Sequence, residues 1–248
     1  MRDLYIKTKN GDMYYEKHLD SDDSLSIIFL HGWGQSHNTF DYVIEKIKES
    51  GIKYNIYNVD FLGFGLSDEP NKAIGVDDYS NHLHQLIKEE KIDKVILVGH
   101  SFGGRVAIRY SARNPISKLV LFGSPCIRIQ EELSLGVKIL KKLKTLPGLN
   151  YLGEYMKKFI GSRDYKAASP IMRQTLVNVV NEDLSKFARE IEEPTLLIWG
   201  TNDTEAPLNE AKELEKIMLD AALITLPGTH YAYLENLPRV VTILDNFF

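Results

Sequence analysis

Ser101 stands within Gly99-His100-Ser101-Phe102-Gly103, directly after the β-rich run Val95 to Val98 and directly before a stretch of helical character. A serine held at a sharp strand-to-helix turn needs glycine on both sides, because any larger neighbour would strike adjacent backbone. Gly104 then lets the following helix pack closely. The turn also sets Ser101 at a helix N-terminus, where free amides and the dipole favour developing negative charge. The chemistry this suits is nucleophilic attack on an electrophilic carbon, but a serine hydroxyl is a weak nucleophile at neutral pH and needs a base.

Seven histidines compete for that role. His18, His37, His82 and His84 fall in hairpin or helical segments and are read as surface residues. His100 belongs to the turn itself and is expected to point away from the reactive side of Ser101, and His31 follows a strand and shapes its loop. His230 differs, since it lies in a short loop after the last expected strand, within Leu226-Pro-Gly-Thr-His-Tyr-Ala. Such loops reach the carboxyl edge of a parallel sheet, where Ser101 also lies. Imidazole is the side chain that changes charge near neutral pH, so it can take the serine proton and return it to a leaving group.

An acid to orient His230 is expected in the loop after the preceding strand, where Leu196-Leu-Ile-Trp-Gly-Thr-Asn-Asp supplies Asp203. Glu205 is the alternative. The shorter side chain, closer to the strand end, is the better fixed of the two, as an orienting role requires. A tetrahedral intermediate would need two preorganised donors. The glycine-containing loop His31-Gly-Trp-Gly after a strand offers Trp33 N–H, and the residue after the nucleophile offers Phe102 N–H. Asp60 is a tempting second acid, but its expected task is to fix the nearby glycine turn through bonds to backbone.

Elements able to position these residues are legible as apolar runs of strand length alternating with helical patterns, the signature of α/β architecture around a largely parallel sheet. Residues 2–9 and 12–19, joined by Asn10-Gly11, read as an antiparallel hairpin with a type I′ turn. Runs at 26–30, 54–60, 94–99, 117–123, 195–200 and 222–228 complete eight strands, and 37–50, 77–91, 102–113, 207–219 and 234–248 read as helices on both faces.

Residues 125–185 separate two strands by far more than an ordinary connection and are expected to carry a helical cap of their own. The organisation expected is thus a catalytic domain of 1–124 and 186–248 with this insertion. Within it, 131–146 places Leu133, Val137 and Leu140 on an apolar arc with Lys138, Lys141 and Lys142 opposite. That arc, with Tyr231, is the expected substrate pocket. Residues 150–160 and 170–181 can supply two more helices. The stretch 126–166 holds nine Lys or Arg against four acids, although the chain as a whole carries −4. Its plain reading is a solvated face, and the sharper one is attraction of anionic substrates or an acidic membrane surface.

The composition narrows the class. Hydrophobic residues at 44% and charged residues at 26% fit an ordinary globular chain. The negative balance argues against nucleic acid as partner. One cysteine, Cys126, excludes an intrachain disulfide and a cysteine-rich metal site. The N-terminal residues do not resemble a signal sequence, and no run approaches the roughly 20 apolar residues of a membrane span. A cytoplasmic protein without stable membrane insertion is expected, of unread oligomeric state.

Taken in order, His31-Gly-Trp-Gly, Gly99-His-Ser-Phe-Gly-Gly, Gly200-Thr-Asn-Asp and Gly228-Thr-His resemble the motifs of the α/β-hydrolase superfamily. Asp60-Phe-Leu-Gly-Phe-Gly-Leu-Ser adds a further family signature, so the resemblance spans nearly the whole chain. It implies the order nucleophile, acid, histidine, met here by Ser101, Asp203 and His230. It also implies a cap over the active site that selects substrates. No cofactor or metal is implied. The serine disfavours haloalkane dehalogenase and epoxide hydrolase activity, which use aspartate there. Hydrolysis of a small-molecule carboxylic ester is the expected reaction. The first alternative is carbon–carbon bond hydrolysis, whose enzymes resemble one another in a tryptophan after the histidine, where Tyr231 stands. Thioester or lactone hydrolysis and cofactor-free perhydrolysis use the same residues, and a ligand-binding signalling module with slow turnover is the alternative of another class.

Overall fold

The apolar runs form eight strands of one sheet. The computed structural model describes residues 4–19, 25–51, 54–127 and 168–248. The strands are β1 (Leu4–Thr8), β2 (Gly11–Leu19), β3 (Leu25–Leu30), β4 (Asn55–Val59), β5 (Lys94–His100), β6 (Lys118–Phe122), β7 (Thr195–Gly200) and β8 (Ala221–Leu226). Their spatial order is β1-β2-β4-β3-β5-β6-β7-β8, with β2 antiparallel to both its neighbours and every other pairing parallel.

Alternation along the central strands divides the core in two. Ile28 and Leu30 of β3 and Leu97 of β5 face one side, which is covered by α2 (Val76–Glu89) and α3 (Phe102–Ser111). Ile27, Phe29, Ile96 and Val98 face the other, covered by α1 (Asp41–Glu49) and by a C-terminal helix, Leu237–Phe247. Because both faces are buried, β3, β5, β6 and β7 read as nearly continuous apolar runs.

Within the expected insertion lies α4 (Pro170–Val180), in the place of the helix expected over 170–181; its start is set by Ser169, whose Oγ accepts from Met172 N–H at 3.1 Å, and proline occupies the first turn. Then come α5 (Ser185–Ala188), α6 (Leu208–Ile217), α7 (Ala232–Glu235) and the terminal helix, α8 (Leu237–Phe247). The apolar arc of Leu133, Val137 and Leu140, and the segment 150–160, lie outside the described residues.

Three expectations need correction. The first hairpin turns at Lys9-Asn10 rather than Asn10-Gly11, since Thr8 pairs with Gly11, and Asn10 lacks the positive φ of a type I′ turn. Asn10 is instead buried, with Oδ1 3.0 Å from His82 Nε2 and Nδ2 donating to Asn71 Oδ1. That contact corrects the second expectation, because His82 is in the core between hairpin and α2. Burial also holds its imidazole down to a pKa of about 4. His37 is the third: it is buried, its Nδ1 2.9 Å from Asp60 Oδ2 and its Nε2 3.5 Å from Glu16 Oε1.

Candidate active site

Four loops meet at the carboxyl edge of the parallel strands β3, β5, β7 and β8, and the candidate residues occupy them. Ser101 follows β5 with φ +50° and ψ −112°, a conformation rare outside glycine. What holds it there is the close approach of strand and helix. A Cβ on Gly103 would stand 2.0 Å from the carbonyl oxygen of Leu30, and one on Gly99 2.6 Å from Gly104 Cα. The Ser101 N–H is tied to Phe122 O of β6 at 2.9 Å. Phe102 opens α3, where helix amides have no partner one turn earlier.

Asp203 and His230 come together from the loops after β7 and β8. His230 Nδ1 lies 2.8 Å from Asp203 Oδ2, and both residues are buried. The other carboxylate oxygen, Oδ1, accepts from the N–H groups of Glu205 (2.9 Å) and Ala206 (2.8 Å). Asp203 is therefore fixed at both oxygens. Glu205, the competing acid, is half exposed, and its Oε2 stands 3.6 Å from Nε2, the opposite edge of the imidazole.

Trp33 follows β3. Its ring meets Phe64 edge-on at 4.9 Å and Phe102 at 5.5 Å. One cavity is lined by Trp33, Ser101, Phe102 and Glu205 on the catalytic side, and by Pro125, Ile127, Leu176 and Val179 on the side of the insertion. Arg105 also reaches it. Tyr231 does not line this cavity; its ring lies 5.3 Å from that of His100.

His100 and His31 occupy supporting positions. His100 is buried, with Nε2 3.2 Å from His230 O and Nδ1 3.1 Å from Gln35 Oε1. Gln35 Oε1 also accepts from Gly32 N–H at 2.8 Å, and Gln35 Nε2 donates to Tyr231 Oη at 3.0 Å. One amide thus joins the loops after β3, β5 and β8. His31 Nε2 accepts from Phe61 N–H at 3.0 Å, while Asp60 accepts from the N–H groups of His37 and Leu66. Burial, above all, lowers the pKa of His31, and burial followed by the neighbouring His230 lowers that of His100. Both imidazoles are neutral supports. Sequence reasoning missed Gln35 and Arg105; two arginines bounding the apolar Val106-Ala-Ile are the signal that Arg105 and Arg109 had partners to find.

The family model of the alpha/beta hydrolase fold matches residues 26–151, more than half of the chain. The chain belongs to the α/β-hydrolase fold family. This hydrolase is 28% identical over 276 residues to AB hydrolase superfamily protein YisY of Bacillus subtilis (strain 168), with 98% of each chain covered. It is 26% identical over 239 residues to the 2-hydroxy-6-oxononadienedioate/2-hydroxy-6-oxononatrienedioate hydrolase of Cupriavidus pinatubonensis, covering 83% of this chain and 80% of that one. Among solved structures, a bromoperoxidase from Bacillus anthracis superposes with a TM-score of 0.76 at 21% identity, 99% of each chain being covered. These likenesses fix the fold of the hydrolase, while the names attached to them differ in chemistry. Among the described residues no group of three or more His, Cys, Asp or Glu is placed to hold a metal ion, and no helix is long and apolar enough to cross a membrane.

Proposed function

We propose that this α/β hydrolase cleaves carboxylic esters of small or medium acyl groups through an acyl-serine intermediate. Ser101 is the nucleophile, His230 the general base, Asp203 the orienting acid, and Trp33 N–H and Phe102 N–H the oxyanion donors. The observation that carries the reading is the buried 2.8 Å contact of Asp203 with His230 Nδ1 at the sheet edge that bears the strained Ser101.

In the first half-reaction Ser101 Oγ adds to the ester carbonyl carbon and its proton passes to His230 Nε2. The carbonyl oxygen becomes an oxyanion, held by the two backbone donors. Asp203 stabilises the imidazolium from the Nδ1 side. Collapse of the adduct expels the alkoxide, which takes the proton from Nε2, and leaves the acyl group on Ser101. Water, deprotonated by the same nitrogen, then releases the acid and restores the hydroxyl. Residues 125–185 act as the cap that selects the acyl group; its described parts, at Pro125 to Ile127 and in α4, line the cavity and are mainly apolar. The single cysteine, Cys126, is free and buried, which fits a cytoplasmic setting.

The test is Ser101→Ala with a panel of 4-nitrophenyl esters of graded acyl length. Turnover should fall by several orders of magnitude while the protein stays folded, and an alkyl phosphonate should label the wild type at Ser101 alone. Full activity in the purified variant would remove Ser101 from the role. The likeness to the Cupriavidus enzyme favours carbon–carbon hydrolysis as a second reading; faster cleavage of a vinylogous 1,5-diketo acid than of any ester in the panel would establish it instead.

A further inference from the structure

Arg105 lies four residues beyond Ser101, on the same face of α3 one turn further in. Its side chain is buried, and a buried guanidinium must find acceptors for its donors. It finds backbone. Nη1 donates to Pro125 O, and Nη2 donates to Val179 O at 2.8 Å and to Glu182 O. Pro125 is where the chain leaves the catalytic domain after β6; Val179 and Glu182 are where it returns at the end of α4. The carbonyls at a helix C-terminus lack partners within the helix and carry its negative pole, so a cation there is doubly suited.

The same face of α3 continues the arrangement. Arg109 Nη2 pairs with Glu182 Oε1, Arg109 Nε stands 3.2 Å from Asp77 Oδ1, and the guanidinium lies 3.7 Å from the centre of the Phe187 ring. Further out, Arg113 pairs with Asp77 at 2.8 Å. Of the three arginines only Arg105 touches both crossings, and only Arg105 lines the cavity that holds Ser101. The apolar wall of that cavity, Ile127, Leu176 and Val179, is built on those same two crossings.

We propose that Arg105 is a positioning residue that sets acyl-chain selectivity: by gripping both crossings from the nucleophile helix, it fixes the distance between Ser101 and the apolar wall. The proposal rests on Ser101 being the nucleophile. Lysine cannot replace it, since a compact ammonium lacks the planar fork that spans three carbonyls. Arg105→Met keeps the stem and removes every donor.

The experiment measures second-order rates of Ser101 labelling by 4-nitrophenyl alkyl phosphonates from ethyl to octyl, which report the wall without requiring turnover. For wild type, rates should depend on chain length with a clear optimum. In both Arg105→Lys and Arg105→Met the ratio between the best and worst chains should fall at least about fivefold, and in ester turnover the change should sit in KM more than in kcat. Arg113→Gln, at the exposed end of the stripe, should keep the wild-type ratio. Ratios within about twofold of wild type in folded Arg105 variants, or an equal change in Arg113→Gln, would overturn the proposal. If neither Arg105 variant folds, Val179→Ala decides, because its carbonyl stays on Arg105 while its methyl groups leave the wall; an unchanged ratio would again overturn it. Absence of labelling in wild type would instead refute Ser101 as nucleophile, and the proposal with it.

Discussion

Asp203→Asn separates the two candidate acids through the hydrogen bonds that already fix the carboxylate. Oδ1 accepts from two backbone N–H groups, of Glu205 and Ala206, so the asparagine must leave its oxygen there. Turning the amide over would set two buried donors against an NH2 group, at roughly 1–3 kcal/mol for each donor left unpaired. The NH2 therefore takes the Oδ2 position and points at His230 Nδ1, which must now accept. The imidazole proton is driven to Nε2, the nitrogen that receives the proton of Ser101 in the mechanism proposed above. A base held in the wrong tautomer should lower kcat by about 10⁴, as in the serine protease case, equivalent to about 5.4 kcal/mol of barrier. Glu205→Gln touches only the Nε2 side, from 3.6 Å and half exposed, and should change kcat less than about tenfold. The assay is initial-rate hydrolysis of 4-nitrophenyl butyrate at pH 7.5, with folding of both variants checked by thermal melts. A loss below tenfold in Asp203→Asn, or a larger loss in Glu205→Gln, would refute the assignment and the tautomer argument together.

Two further perturbations test the supports. The His82 pKa of about 4 lies below the unfolded value near 6.5, so the neutral form is favoured by folding; the full stability is present above pH 6.5 and is lost as pH falls toward 4. At pH 5 the loss is roughly 2 kcal/mol from this residue alone, with His31 and His100 acting in the same direction. Urea midpoints between pH 7.5 and 5 should fall less steeply for His82→Gln than for wild type, and parallel curves would contradict this. Gln35→Leu removes the amide that joins Gly32, His100 and Tyr231. With the Trp33 loop released, kcat should drop about 10- to 100-fold with little change in KM; an unaltered kcat would show that the loop holds itself.

The sheet was legible because buried parallel strands write themselves as apolar runs, and the loops after β5, β7 and β8 were legible because each carries its chemistry within a few residues of a strand end. What escaped is what depends on partners distant in sequence. His82 looks like a surface residue on its own helix, and packing beneath the hairpin, with its contact to Asn10, makes it core. The same contact withdraws Asn10 from the turn that Asn10-Gly11 would otherwise make. His37 is likewise buried, against Glu16 from the middle of β2 and Asp60 just after β4. Arg105 belongs to a motif helix, but its partners are about 20 and 75 residues away in sequence, at positions that no local pattern marks.

The two crossings at Pro125 and Val179 are joined by more than Arg105, since Leu184 N–H also donates to Cys126 O at 3.0 Å. The chain is thus tied together where it leaves at Pro125 and Cys126 and where it returns at Val179 to Leu184. A change of length between the two crossings leaves these anchors in place, whereas a change of length in the loops that carry Ser101, Asp203 and His230 displaces those side chains directly. On the function proposed above, relatives can differ in sequence and length between Ile127 and Ala168 while Ser101, Asp203 and His230 stay where they are, and segments exchanged between those two points should graft onto this sheet.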